Sequence, residues 1–254
     1  MNGLEVKDLR VAFGGLVAVD RLSFVAPRGS ITGLIGPNGA GKSTTFNACF
    51  GTVRSEGSVL VDGRDIAGAG TATRARLGLG RTFQRVQLYD SLTVEENVLL
   101  GYEGALAGHN PIRHLWAPAS QRRAGRTAAR DALERCAVAD LAGRRAGALA
   151  LGQRRLVELA RALAGHHSML LLDEPASGLD APETAIFGSL LRSVCEEGDI
   201  GVLLVEHDIE LVTNVCDRVY VLDFGKMIFE GPIREALTSD TVRAAYLGSV
   251  AVES

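Results

Sequence analysis

The feature that most constrains this chain is a glycine-rich segment, GPNGAGKS, at residues 36–43. An apolar run, ITGLI, precedes it, and STTFNACF, which has a helical pattern, overlaps its end and continues the chain. The segment matches G-x-x-x-x-G-K-[ST] at every fixed position, and it lies between a predicted strand and a predicted helix. The chain must therefore form a strand, a glycine turn and a helix in succession. This combination predicts a loop that binds the phosphates of a nucleoside triphosphate.

Each residue type in the loop suits a phosphate ligand. Glycines let the backbone curl so that consecutive N–H groups and the helix N-terminus face the anion. Lys42 adds a positive charge for the β and γ oxygens, and the hydroxyl of Ser43 is placed to bind Mg²⁺. Only three of the 27 basic residues are lysines, so a lysine here is a signal rather than background usage. The predicted nucleotide-binding residues of the loop are Gly36, Pro37, Asn38, Gly39, Ala40, Gly41, Lys42, Ser43 and Thr44.

The order of predicted elements favours an α/β fold interrupted by helices. The first third contains short apolar segments punctuated by Gly, Asp and Pro, which predict strands. From about residue 71 to 164 the pattern is mainly helical, and the last third alternates apolar strands with helices, which is typical of a parallel sheet. We expect a P-loop NTPase core with a mostly parallel sheet, an N-terminal antiparallel β subdomain and an inserted helical subdomain.

The predicted boundaries describe one nucleotide-binding domain over residues 1–254. Its core spans about 1–84 and 166–235, the helical subdomain about 85–165, and a short helical tail 236–254. Residues 103–121 contain two prolines, the only tryptophan and no clear period. We interpret this stretch as an ordered insertion or a long loop.

Composition bears on the partners and the compartment to expect. The net charge of -3 gives no reason to expect a nucleic-acid partner, because such domains usually carry a basic excess. Four cysteines without metal-type spacing predict buried thiols in a reducing compartment. The first residues lack a secretory apolar region, and no apolar run approaches the roughly 20 residues of a membrane-spanning helix. We therefore expect a cytoplasmic chain that can still dock on a membrane partner.

A second group of candidate residues ends the apolar segment MLLLDEP, residues 169–175. Asp173 at the strand end is a candidate ligand of Mg²⁺, directly or through water. Glu174 is expected to point the other way because side chains alternate along a strand, which suits a general base for an attacking water. An acidic turn that caps a strand is the alternative. A GTPase is disfavoured, since no lysine lies in the guanine-reading Asn-Lys-x-Asp pattern.

Six strings, GPNGAGKS, RTFQ, LALGQ, LLLDEP, SGLD and VEHD, occur in this order along the chain. Their order and approximate spacing resemble those of an ATP-binding-cassette (ABC) ATPase subunit, and the resemblance covers nearly the whole chain. It implies ATP hydrolysis, with ATP and Mg²⁺ as cofactors, coupled to transport through other chains.

The resemblance implies roles for four further residues. Phe13 matches an aromatic that stacks on adenine, and a plain core or strand-end Phe is the alternative. Gln84 matches a glutamine that contacts Mg²⁺ or the water and senses the transmembrane partner. Asp180 matches the loop that couples two sites across a dimer, and His207 a histidine that contacts the γ-phosphate. The implied catalytic residues are Glu174, His207 and Gln84, and the implied metal ligands are Ser43, Gln84 and Asp173.

The LALGQ string, residues 149–153, departs from the family's usual LSGGQ signature. Ala150 replaces the serine and Leu151 the first of two glycines. In the family this helix N-terminus points at the γ-phosphate held by the other subunit, through amides and the helix dipole. Gly152, Gln153 and the backbone amides remain available for that contact.

Within the family, the strings GRTFQRVQLYDSLTVEENVLLG, LALGQRRLVELARAL and VEHDIELV resemble those of branched-chain amino acid importers. This implies a second cassette chain, in a hetero- or homodimer, two integral membrane permease subunits and an extracytoplasmic solute-binding protein. The chain would then lie on the inner face of the membrane. The alternatives are a soluble cassette protein of translation or DNA repair, the cassette of a urea or amide importer, and that of a lipid exporter.

Overall fold

The structure of the chain, a computed structural model, describes residues 2–82, 87–107 and 119–250. Within these ranges the strands are β1 (Gly3–Phe13), β2 (Leu16–Pro27), β3 (Ile31–Ile35), β4 (Glu56–Val61), β5 (Arg64–Asp65), β6 (Leu79–Arg81), β7 (Met169–Asp173), β8 (Gly201–Val205), β9 (Arg218–Asp223) and β10 (Lys226–Gly231). The helices are α1 (Lys42–Phe50), α2 (Thr71–Arg76), α3 (Val94–Ala107), α4 (Ala119–Arg135), α5 (Leu151–Ala164), α6 (Ala181–Gly198), α7 (Ile209–Val215), α8 (Ile233–Thr238) and α9 (Asp240–Val250).

An antiparallel sheet in the order β2-β1-β4-β5 forms the N-terminal part of the fold. Leu4, Val6, Leu9 and Val11 of β1 are buried, and Lys7 and Asp8 between them are exposed. This near-alternation buries one face of the sheet, in a core shared with Phe46 of α1. The prediction of an N-terminal antiparallel unit is confirmed.

The second sheet has six strands in the order β10-β9-β3-β8-β7-β6. Every neighbouring pair is parallel except β10 with β9. All residues of β3, β7 and β8 are buried, as expected for strands covered on both faces. Because β8 lies between β3 and β7, the loops that follow these three strands emerge side by side at one edge. The predicted α/β class with a mostly parallel sheet is confirmed.

Helices α3, α4 and α5 pack against one another beside this sheet. Val98 of α3, Leu133 of α4 and Val157 of α5 are buried in one core, which also contains Leu170 of β7 and Val202 of β8. The opposite face of α4 is exposed and carries Arg122, Arg123, Arg126 and Arg130.

The middle of the chain is less helical than its pattern predicts. β6 pairs in parallel with β7 at the edge of the large sheet, so it is an exception within residues 71–164, whose pattern predicts mainly helices. A strand of three residues is too short to show a period, and its neighbour in the sheet decides its conformation. The stretch at 103–121 falls largely on residues 108–118, outside the described residues.

The four cysteines are free thiols, and burial raises the pKa of each to about 12. Thiols of this kind are poor nucleophiles and serve as small apolar groups. Within the described ranges, no helix is long and apolar enough to cross a bilayer.

Candidate active site

The glycine loop follows β3 and has two positions where only glycine fits. Gly36 has a φ of 147°, and a Cβ there would lie 2.1 Å from the carbonyl oxygen of Leu222. Gly41 has a φ of 100°, and its Cβ would lie 2.7 Å from the carbonyl oxygen of Ala18. Backbone from β2 and β9 therefore presses against the loop, which keeps the loop tightly curled.

Lys42 is the first residue of α1, and its side chain folds back over the loop. Its Nζ donates hydrogen bonds to the carbonyl oxygens of Gly36 at 2.7 Å and Pro37 at 2.8 Å. The residue is 6% exposed. Burial lowers the pKa of the ammonium group, and the charges of Glu174 and Asp173 oppose that shift. The loop thus surrounds the ammonium group of Lys42, whose positive charge interacts with the carboxylates of Glu174 and Asp173.

A cavity of about 200 Å³ opens over this loop. Its lining from other parts of the chain is Ala18, Glu174 and His207. The loop contributes Asn38, Gly39, Ala40, Gly41, Lys42, Ser43 and Thr44. The Ser43 side chain is exposed there, and the helix N-cap at Gly41 has no side-chain hydrogen bond. The cavity therefore presents N–H groups, a lysine and a hydroxyl to an anion.

Asp173 ends β7 and is 7% exposed. Its Oδ2 lies 3.3 Å from Nη2 of Arg81, whose Nη1 donates a hydrogen bond of 2.7 Å to Oδ1 of Asn47 in α1. Burial raises the pKa of the Asp173 carboxyl, and the Arg81 guanidinium opposes this shift. The sequence did not point to Arg81, and its only signal was a basic residue directly before the TFQ of the RTFQ string.

Glu174 and His207 meet at the edge of the cavity. Nε2 of His207 lies 2.5 Å from Oε1 of Glu174. The Glu174 side chain is 17% exposed and the His207 side chain 48%. Glu174 lies beyond the end of β7 with a φ of 48°, so strand alternation does not set its direction as the sequence argument assumed. The turn itself places this carboxylate beside the cavity.

Glu206 is a second residue that the sequence argument missed. It lies between β8 and His207 and is 5% exposed. Its Oε1 accepts a hydrogen bond of 2.8 Å from the backbone N–H of Ala176, and its Oε2 one of 3.1 Å from that of His207. The pKa of this carboxyl is raised, and burial is the largest cause of the shift. The available signal was an acidic residue directly after an apolar strand, in VEHD.

The remaining predicted site residues lie apart from this cavity or outside the described residues. Gly152 and Gln153 lie in the first turn of α5, where Oε1 of Gln153 accepts a hydrogen bond of 3.3 Å from the N–H of Ala150. Asp180 caps α6, and its Oδ1 accepts a hydrogen bond of 2.8 Å from the N–H of Glu183. Phe13 is 52% exposed at the hairpin between β1 and β2. Gln84 is not among the described residues.

A buried lysine inside a strained glycine loop, with strand-end carboxylates of the same sheet beside it, is the arrangement of a P-loop nucleoside triphosphatase. The fold and the cavity together thus define the class of protein as a P-loop nucleoside triphosphatase. The family model described as ABC transporter matches residues 19–177. The chain belongs to the ABC transporter family, as an ATP-hydrolysing subunit. This confirms the family predicted from the six sequence strings.

Individual relatives agree with this assignment. The chain is 36% identical over 249 residues to the high-affinity branched-chain amino acid transport ATP-binding protein BraF of Pseudomonas aeruginosa, covering 96% of this chain and 97% of BraF. It is 37% identical over 248 residues to LivG of Salmonella typhimurium, which bears the same description, with the same coverage. The ADP conformation of MJ1267, an ATP-binding cassette of an ABC transporter, superposes with a TM-score of 0.85 at 31% identity, over 98% of this chain and 99% of that one.

Proposed function

We propose that this chain hydrolyses Mg·ATP to drive the import of branched-chain or related amino acids through separate permease subunits. The observation that carries the catalytic part is the Glu174–His207 pair at the edge of the cavity that also holds Lys42. Glu174 takes a proton from a water whose oxygen attacks the γ-phosphorus, and the bond to the bridging oxygen of ADP breaks. His207 orients Glu174 and the water, and the loop amides and Lys42 hold the phosphates.

The residues present fit a magnesium ion. Ser43 offers an exposed hydroxyl in the cavity. Asp173 offers a carboxylate, and the charge of Lys42 acts to lower its pKa against the larger effect of burial. Both are hard oxygen ligands of the type that Mg²⁺ prefers. Gln84 is the third proposed ligand. When bound, the ion neutralises charge on the β and γ oxygens.

A second cassette chain completes each site in this proposal. Gly152, Gln153 and Asp180 lie outside the cavity of their own chain, at the start of α5 and α6. The exposed N-terminus of α5 suits an anion held by another subunit, since its amides carry partial positive charge. Phe13 stacks on the adenine, for which its exposed ring is available. We favour a heterodimer with a related cassette.

The transport assignment extends the printed descriptions of BraF and LivG to this chain. Both are branched-chain amino acid transport ATP-binding proteins. The proposed partners are two integral membrane permeases and, through them, an extracytoplasmic solute-binding protein. The chain then lies on the inner face of the cell membrane, and its net charge of -3 gives no reason for a nucleic-acid partner.

The test is to co-express the chain with the genes that neighbour it, purify the assembly and reconstitute it in proteoliposomes. We expect permeases to co-purify and radiolabelled leucine to accumulate with ATP, but not with the Glu174→Gln variant. Uptake of urea or short amides in place of leucine would reassign the substrate. Co-purification of ribosomes or DNA without permeases would overturn the transport role.

A further inference from the structure

Glu206 joins the two loops that carry the proposed catalytic pair. One oxygen accepts from Ala176, in the loop after β7, and the other from His207, in the loop after β8. Glu174 is two residues before Ala176, and its own N–H donates a hydrogen bond of 2.8 Å to Val205, directly before Glu206. The Glu206 carboxylate therefore links the two backbone segments that carry Glu174 and His207.

All the hydrogen-bonding partners of Glu206 are donors, which is why a carboxylate suits this position. A carboxylate offers two acceptor oxygens, whereas the isosteric amide of glutamine offers one oxygen and an NH₂ group. In the glutamine variant the NH₂ group would face a backbone N–H, and one loop would lose its anchor. Among the described residues, no Lys, Arg or His lies within ion-pair distance of Glu206.

Because Glu206 is buried, a carboxylate that only filled space at this position would destabilise the fold. A carboxylate removed from water loses its favourable solvation, at a cost in free energy, unless hydrogen bonds or opposite charges compensate. Among the residues that the structure describes, backbone amides alone compensate, and the charge of Glu174 acts against the ionised form. An apolar residue would fill the space without this cost, but it would not bond both loops.

We propose that Glu206 is a positioning residue that sets the distance between Glu174 and His207 during ATP hydrolysis. This inference rests on the proposed roles of that pair. Displacing a catalytic group by about 1 Å can lower the rate on the order of a hundredfold. Glu206 itself contacts neither the nucleotide loop nor Lys42 among its hydrogen-bond partners, so its loss is expected to act on turnover rather than on nucleotide affinity.

The first experiment compares Glu206→Gln with a control substitution of another carboxylate in the same chain. Asp217→Asn alters a carboxylate that also accepts a backbone N–H, from Ile31 at 2.9 Å, and that lies directly before β9. We expect Glu206→Gln to lower kcat by about ten- to a hundredfold, with ATP affinity by calorimetry within about twofold of wild type. Asp217→Asn lowers the melting temperature without this loss of kcat. Unchanged kcat in Glu206→Gln would overturn the proposal.

The second experiment asks whether Glu206 acts through the pair. In a His207→Ala background, Glu206→Gln is expected to lower kcat by less than about twofold. The distance between Glu174 and the imidazole of residue 207 no longer affects the rate once that imidazole is absent. Full additivity of the two losses would instead mean a general structural role and would overturn the proposal. If Glu206→Gln does not fold, Glu206→Asp replaces it in both experiments. Aspartate keeps the charge but is too short to hold both loops, so we expect a kcat loss of at least fivefold.

The Glu174→Gln variant separates this inference from the proposed function. A wild-type rate in Glu174→Gln would overturn the role of the pair itself. Loss of turnover in Glu174→Gln, with wild-type turnover in Glu206→Gln, would overturn only the positioning role.

Discussion

Nε2 of His207 and Oε1 of Glu174 lie 2.5 Å apart, although the two residues are 33 positions apart in the chain. Each follows a strand of the parallel sheet, β7 and β8, which are direct neighbours. The sheet therefore brings a carboxylate and an imidazole together beside the phosphate loop. This contact leads to the first prediction.

Glu174→Gln removes the proposed general base and leaves the shape of the site nearly unchanged. We expect turnover to fall by at least a hundredfold, because a neutral amide cannot accept the proton of the attacking water. ATP affinity is expected to stay within a few-fold of wild type, since Lys42 and the loop amides are untouched. Single-turnover hydrolysis and calorimetric titration measure the two quantities. Hydrolysis at the wild-type rate would show that another group serves as the base.

Lys42→Ala removes the positive charge held over the glycine loop. Charge-assisted hydrogen bonds contribute roughly 1.5–3 kcal/mol, so we expect ATP affinity to fall by about tenfold to more than a hundredfold. Lys226→Ala is the matched control, because it removes the same charge from a side chain that is 68% exposed. Calorimetry with Mg·ATP compares the variants. Equal affinities for both would contradict the phosphate role of the loop.

Ala150→Ser is expected to stabilise the protein. Ala150 is the N-cap of α5, and its methyl side chain offers no oxygen to the backbone amides of the first turn. A serine at an N-cap gains about 0.5–2 kcal/mol over alanine, which corresponds to roughly 1–8 °C in melting temperature for a chain of this size. Ala148→Ser, at an exposed position outside the cap, serves as the control. A lower melting temperature for Ala150→Ser would show that its hydroxyl does not cap α5.

His167 makes stability depend on pH. Burial lowers its pKa from 6.5 to about 4. As the pH falls through this range, the unfolded chain takes up a proton that the folded chain does not, so the free energy of unfolding decreases. The decrease should reach on the order of 3 kcal/mol near pH 4.

Urea titrations from pH 7 to pH 4 measure this dependence. His167→Gln is expected to lose this part of the acid dependence, whereas His166→Asn, at the exposed neighbouring position, keeps it. Asparagine suits the positive φ of 52° at residue 166. Identical pH profiles for wild type and His167→Gln would contradict the prediction.

The phosphate loop could be predicted from the sequence because short-range geometry determines it. Gly36 and Gly41 need backbone angles and space that only glycine has, and both positions can be recognised within eight residues of sequence. The same holds for the apolar strands that end at Ile35 and Asp173, whose residues are buried on both faces. A continuous apolar run is a local property of the chain.

The partners of these residues depended on the tertiary structure. Arg81 meets Asp173 across 92 positions because β6 pairs with β7, and β6 is too short to be recognised from its own residues. Glu206 bonds to Ala176 only because β8 lies beside β7. The direction of Glu174 came from a left-handed turn rather than from strand alternation.

By itself, then, the sequence determined which segments form the loop, the strands and the carboxylate pair, since these depend on neighbours along the chain. Only the tertiary structure decided which side chains face one another across those segments. Strand order sets such distances, and strand order results from burying the faces of the whole sheet at once.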